Sequence, residues 1–366
     1  MPNSGWFANS SKKRFCYVAV AAMSAVLPFV AAATAWADEE DMVLDLVRHG
    51  QSVANVTGIL NTLVPGPELT ELGHEQADAV AKVLAPGAPY DGIYASDMIR
   101  TQETAAPLAE MLHVSVTDLA GLDEVNSGIY EGLPLSVHGI PIVELLYGAA
   151  PLAWTLGLEF VPELGSTDPN GIAFDERYTA AIDTIYNAGG AVNSQGDLTD
   201  VAFSHEVAIT TWTLLNVGNP DFPLVFDEFL HTRSFLPNTG IVVLQGNPEV
   251  GWTLVSWNGE PVPPASLPVE LFVDTRNFIM APQLAAYNIG QAVATGDPTT
   301  IVSALQTGAY DVGAATLNFP VAVIRDIVDA VRDALPGALS LGDVPADLAS
   351  LPGDVSAMAG QALAMF

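Results

Sequence analysis

Thiols and cations are what this 366-residue chain has least of. Cysteine occurs once, as Cys16, inside an uncharged Ala- and Val-rich run from Phe15 to Ala37. That run follows Lys12, Lys13 and Arg14 and ends in Ala35-Trp36-Ala37, the pattern of a secretory signal peptide with a small-x-small cleavage site. Residues 1–37 are therefore expected to be removed near Ala37, leaving a product that is secreted or held in the cell envelope. Retention as a membrane anchor is the competing expectation, since the run is about long enough to span a bilayer. Once Cys16 is gone, disulfides, a cysteine nucleophile and a thiolate zinc site are all excluded.

Lys and Arg together number 11 against 42 Asp and Glu, for a formal net charge of −31. Three of those cations lie in the leader and every acid lies after it, so the remaining chain is still more acidic. Nucleic acid is not expected as a partner, because binding it needs a cationic surface that releases counterions. With so few cations, each remaining arginine needs a reason. The length fits one α/β domain with an appendage, or two domains.

Val43 to Asn55 reads VLDLVRHGQSVAN. Val43, Leu44, Leu46 and Val47 form a short apolar run typical of a buried parallel strand, and Arg48, His49 and Gly50 follow at its carboxyl end, where open α/β sheets bind ligands. Leu69 to Ala85 predicts a crossover helix with Thr70 as N-cap and an apolar stripe through Leu72, Gln76, Val80 and Val83/Leu84. Asp91 to Ser96 predicts a second strand, and Arg100 follows on the first turn of the next helix. Two guanidinium groups converging on a histidine offer planar, paired donors suited to phosphate oxygens.

The segments RHGQSVAN, LTELGHEQA, YASDMIRTQETA and LDEVNSGIYEG occur in the order and spacing of the histidine phosphatase superfamily, and the chain resembles its first, phosphoglycerate mutase-like branch over about Val43 to Trp257. The resemblance implies a three-layer α/β/α fold with a mostly parallel central sheet, an inserted lid and, in this chain, a C-terminal helical extension. It implies His49 as nucleophile, Arg48 and Arg100 as phosphoryl ligands, Asn55 and Gln51 beside the same oxygens, Glu124 as proton donor, and His205 of VAFSHE as the second histidine of the cradle. Neither metal nor other cofactor is expected. Two positions depart from the family pattern: Gln51 stands where Glu is common, and Glu206 stands where Gly is common after the second histidine. Glu206 is thereby a rival proton donor. His74, His113, His138 and His231 are expected to be surface or packing residues.

The expected domains are the leader 1–37, a phosphatase domain 38–260 with a lid insertion 133–200, a linker 261–280 and a helical extension 281–366. The lid is rich in Leu, Ile, Pro and aromatics and holds one basic residue, Arg177. One cation is too few for a phosphoglycerate carboxylate or a second phosphate, so a phosphatase is expected over a mutase-like phosphotransferase. The expected partner is a small-molecule phosphate monoester with an apolar or neutral leaving group, with Leu146, Trp154, Leu156 and Phe160 either lining its site or forming ordinary lid core. In the tail, Ile324, Ile327/Val328, Val331 and Leu335 predict an amphipathic helix. The segment TIVSALQTGAYDVGAATLNFP resembles the carboxyl-terminal regions of secreted mycobacterial PE and PPE-type proteins, which implies an actinobacterial envelope and association through these helices. The competing function is a non-catalytic envelope interaction protein that keeps the fold.

Overall fold

The computed structural model describes residues 41–190 and 197–334; the expected leader with Cys16 and Ala37, and the tail beyond residue 334, lie outside them. In chain order the elements are β1 (Met42–Arg48), α1 (Val53–Thr57), α2 (Glu71–Leu84), β2 (Gly92–Ala95), α3 (Ile99–Leu112), β3 (Val116–Asp118), α4 (Ile142–Thr155), α5 (Gly171–Ala188), β4 (Leu198–Ser204), α6 (Glu206–Asn216), α7 (Phe222–Thr232), β5 (Ile241–Asn247), β6 (Gly251–Trp257), β7 (Glu260–Pro261), α8 (Leu267–Thr295) and α9 (Pro298–Ala334). They fall into two compact units, the first running to Ala265 and the second beginning at Ser266.

The first unit is built on a seven-stranded sheet in the order β3-β2-β4-β1-β5-β6-β7. Strands β3, β2, β4 and β1 are mutually parallel, and β5, β6 and β7 continue antiparallel toward one edge. Both faces of β1, β2 and β4 are buried, which is why they read as largely apolar runs, whereas β3, at the sheet edge, is half-buried at Val116 and exposed beyond it. Met42, Leu44 and Leu46 of β1 and Ala202 of β4 point into a core shared with Trp154, Phe174, Tyr178 and Trp212 of α4, α5 and α6. Val47, Val201 and Phe203 point the other way, against Val80, Ala81 and Leu84 of α2 and Ala105 and Leu108 of α3. Alternation along each strand thus feeds two separate cores and produces the three layers.

The helix expected after β1 is α2, with the Thr70 hydroxyl accepting the Gly73 N–H at 3.1 Å. Its buried face differs from expectation: Leu72 and Val83 are 47% and 66% exposed, and Gly73, Ala77, Val80, Ala81 and Leu84 pack inward. Small residues win because the turn after His49 lies directly on the helix. A Cβ on Gly73 would sit 2.1 Å from the Gln51 carbonyl oxygen, and one on Gly50 would sit 2.6 Å from the Gly73 oxygen.

In the second unit, residues 261–280 are not a linker throughout: the chain is helical from Leu267, with Ser266 as N-cap and Pro268 in the first turn. Proline suits that turn, whose N–H groups have no intrahelical acceptor, and the Val, Leu, Phe and Ile residues that follow carry the helix on. Asp297 caps α9 by accepting the Thr300 N–H at 3.0 Å, and Phe278 of α8 stacks on Phe319 of α9 at 4.9 Å. The stripe Ile324, Ile327, Val328 and Val331 is exposed, at 56%, 44%, 38% and 40%, rather than packed; Leu335 lies outside the described residues. Among the described residues no helix is long and apolar enough to cross a membrane.

Candidate active site

Strand order delivers the site. β1 and β4 are parallel neighbours with Arg48 opposite Ser204, so the next residue of each chain segment, His49 and His205, emerges at the same sheet edge. Their rings stand 5.2 Å apart, centroid to centroid, and the His49 N–H is bonded to the Ser204 carbonyl at 3.1 Å. β2 flanks β4 on its other side, so Ser96 leaves the sheet beside His205, and Arg100 follows on the first turn of α3.

His49 is 4% exposed, and its Nδ1 lies 2.7 Å from the Gly50 carbonyl oxygen. A carbonyl only accepts, so Nδ1 carries the proton and the lone pair of the neutral ring is on Nε2. Burial, then the Arg100 and Arg48 charges, hold its pKa well below the ordinary histidine value. The imidazole is therefore neutral and nucleophilic at neutral pH.

Around it stand buried polar nitrogens that the protein does not satisfy. Arg100 is 3% exposed; its Nη2 donates to the Asn61 carbonyl at 3.3 Å, and its Nη1 has no partner. Burial pushes its pKa down to about 10, still a cation at neutral pH. His205 is fully buried, bonded through Nε2 to the Ser96 hydroxyl at 2.8 Å, with Nδ1 unpartnered. Arg48 Nε is likewise unpartnered. Buried polar atoms are almost always paired, so three orphaned nitrogens near one imidazole mark a place built for a polar guest.

The two candidate proton donors are held differently. Glu124 lies across the N-terminal turn of α6: Oε1 accepts the Val125 and Ala208 N–H groups at 2.9 and 2.8 Å, and Oε2 accepts that of Val207 at 3.3 Å. Desolvation outweighs these bonds and the Arg100 charge, so its pKa is raised. Glu206 forms an ion pair with Arg48, Oε2 to Nη1 at 2.7 Å, while its Oε1 accepts from Ser234 Oγ and the Phe235 N–H.

The remaining sequence candidates serve neighbouring structure. Asn55 is the third residue of α1, and its Oδ1 accepts the Ser52 N–H at 2.9 Å in a capping box. Gln51 places Oε1 2.9 Å from the Thr70 hydroxyl, tying the turn after His49 to α2. Arg177 makes a two-pronged ion pair with Asp168 and donates to the Gly121 and Asp123 carbonyls, which fixes the backbone leading to Glu124. In the lid, Trp154 is fully buried core, whereas Leu146, Leu156 and Phe160 are about half exposed, at 50%, 44% and 46%. His74, His113, His138 and His231 are all exposed.

Several site residues went unread in the sequence. Ser96 orients His205; Asn61 and Gly66 border Arg100; Ser234 and Leu236 hold Arg48 at 2.7 and 2.6 Å; Asn238 donates to the His49 carbonyl at 3.1 Å. Serine, asparagine and glycine in loops carry no distinctive pattern, so only the Gly-containing turn could have hinted at them.

The chain is 49% identical over 309 residues to a PE-PGRS family protein, PE_PGRS11, of Mycobacterium tuberculosis, covering 83% of this chain and 51% of that one. This chain thus spans about half the length of that relative. It is 26% identical over 223 residues to a glucosyl-3-phosphoglycerate phosphatase of Mycolicibacterium vanbaalenii, covering 59% of this chain and 93% of the relative. A solved mycobacterial glucosyl-3-phosphoglycerate phosphatase superposes with a TM-score of 0.45 at 22% identity, covering 60% of this chain and 99% of the other. Residues 44–259, which carry both histidines and both pocket arginines, match the profile of the histidine phosphatase superfamily, branch 1, and the chain belongs to that family.

Proposed function

We propose that the protein is an exported phosphomonoesterase that works through a phosphohistidine on His49, with Glu124 as proton donor and no metal. The observation that carries this reading is the set of buried, unpartnered nitrogens, the Arg100 Nη1 and Arg48 Nε donors and His205 Nδ1, beside a neutral His49 whose Nε2 lone pair is free. In the first step Nε2 attacks phosphorus in line and the bond to the leaving oxygen breaks. The donors stabilise charge on the equatorial oxygens, and Glu124 gives its proton to the departing alkoxide. In the second step the Glu124 carboxylate takes a proton from water, whose oxygen attacks phosphorus, and the P–N bond breaks to release phosphate and restore His49. Glu124 suits this role better than Glu206 because its raised pKa keeps a proton available, whereas Glu206 is committed to Arg48.

A monoester with an uncharged leaving group is the best-supported substrate, since Arg177, the one basic residue of the lid, is bound to Asp168 and to backbone. Export rests on the Lys12–Arg14 cluster and the apolar run to Ala37, and cell fractionation with N-terminal sequencing tests it. Catalysis is tested by hydrolysis of 4-nitrophenyl phosphate in EDTA. Activity that persists there, is blocked by orthovanadate and disappears in His49→Ala is expected. Loss of activity in EDTA, or its retention in His49→Ala, overturns the mechanism.

A further inference from the structure

Glu206 is the second carboxylate at the nucleophile, and the reaction above leaves it without a step. Its placement is well defined. Oε2 lies 2.7 Å from Arg48 Nη1, and Oε1 accepts from Ser234 Oγ at 2.8 Å and from the Phe235 N–H at 2.7 Å. Arg48 Nη1 also donates to Ser234 Oγ and to the Leu236 carbonyl. One side of this guanidinium is therefore saturated by the protein and its charge is met by an internal anion. Arg100 differs: among the described residues no carboxylate lies within ion-pair distance of it, and its Nη1 has no partner. The pocket thus holds two guanidinium charges, one of them already balanced.

The surroundings add negative charge. Burial, and then the nearby Glu206 charge, raise the pKa of Glu144, on the first turn of the lid helix α4. Arg233, an exposed residue at the end of α7, is the opposing cation, and solvent screens it. A leaving group that brings its own carboxylate or second phosphate near Arg48 would meet Glu206 and Glu144, while the one uncompensated guanidinium, Arg100, is occupied by the transferred phosphoryl group.

We propose that Glu206 is a charge filter, an internal counterion of Arg48 that confines the site to monophosphates with uncharged or cationic leaving groups. This deepens the phosphatase reading and rests on it. Discrimination of this kind comes from building an unfavourable contact against the wrong ligand as much as a favourable one with the right ligand.

Glycerol 3-phosphate and 3-phosphoglycerate differ at the far end, where an alcohol replaces a carboxylate, and so form the test pair. In the wild-type chain kcat/KM is expected to favour glycerol 3-phosphate by about tenfold or more. Glu206→Gln keeps an acceptor oxygen for Ser234 and Phe235 and removes the charge. It is expected to shrink that preference about tenfold and, in calorimetric titration with inorganic phosphate, to tighten binding by a similar factor. Equal turnover of the two esters by the wild type overturns the proposal. So does a variant that melts like the wild type with the same preference and the same phosphate affinity. Should the variant not fold, the wild-type preference decides. Should neither ester turn over, the phosphatase reading is what fails, and the phosphate titration still judges whether Glu206 competes for Arg48.

Discussion

Glu124 accepts the Ala208 N–H at 2.8 Å, so the carboxyl group sits on the first turn of the helix that begins right after His205. A helix N-terminus favours the carboxylate, and burial favours the acid; burial prevails and the pKa is raised. Glu124 thus holds its proton to higher pH than an ordinary carboxyl group, and His49 loses its second proton at lower pH than an ordinary histidine. As general acid it must be protonated, so activity should fall as pH rises through its pKa. As nucleophile His49 must be neutral, so activity should fall as pH drops through the histidine pKa. A kcat/KM maximum on the acid side of neutrality is expected. Glu124→Gln should lower kcat by about 10²–10³ with little change in KM and should abolish the alkaline limb. An unchanged alkaline limb would assign that titration elsewhere.

Arg177 acts on this group from behind. Its guanidinium is bound to Asp168 at 2.9 and 2.8 Å and to the Gly121 and Asp123 carbonyls, two points on the backbone that carries Glu124. Arg177→Met should leave Asp168 as an uncompensated buried charge and cost about 2–4 kcal/mol of stability, measured by urea unfolding. The surviving folded protein should show a lower kcat with KM changed less, because the phosphate ligands stay in place.

Gly66 has φ +66°, and a Cβ there would lie 2.6 Å from Arg100 Nη1. Gly66→Ala therefore meets both a left-handed backbone and the Arg100 guanidinium. It should lose about 1 kcal/mol of stability from the backbone alone. Arg100 must shift to relieve the contact, so KM for an aryl phosphate should rise roughly tenfold, about 1.4 kcal/mol of lost binding. A KM equal to that of the wild type would show that Arg100 does not need the space this glycine leaves.

The residues that sequence conveys and those it hides differ in physical kind. Arg48, His49, Arg100 and His205 follow apolar strands, and a strand's carboxyl end is recognisable from hydrophobic patterning, so their convergence could be expected before any coordinates. The apolar stripe of α2 misled because Leu72 and Val83 look like core while Gly73 and Ala77 do not; the deciding fact was the backbone approach of Gly50, which hydrophobicity does not encode. Arg177 looked like a lid cation available to substrate, and only its geometry with Asp168 shows otherwise. The ion pair between Arg48 and Glu206 escaped for a related reason. It is completed by Ser234, Phe235 and Leu236 from a distant turn, and pattern within a segment carries no information about what another segment brings.

Asp200 offers a test that does not involve catalysis. It lies on β4 opposite Leu44 and Gly92, is 2% exposed, and has an Oδ1 without a partner. Burial, reinforced by the Asp91 charge, pushes its pKa up to about 7 from an ordinary 3.8. The folded chain therefore binds a proton here that the unfolded chain has released, so this contribution to stability is full below about pH 4 and is lost as pH rises toward 7. Glu163, pushed up to about 7, and Asp123, pushed up to about 6, act in the same direction. The buried histidines act in the opposite direction, but only below about pH 6.5, where the unfolded chain begins to take up their protons. Between pH 8 and 6.5 the acids set the sign, exposed His231, whose pKa is raised by its hydrogen bond to the Asp227 carbonyl, acts the same way, and the melting temperature should rise as pH falls. Asp200→Asn removes a charge that the fold accommodates poorly. It should raise stability at pH 8 by about 1–3 kcal/mol and flatten the pH dependence. A variant whose melting temperature tracks the wild type at every pH would place the titrating group elsewhere.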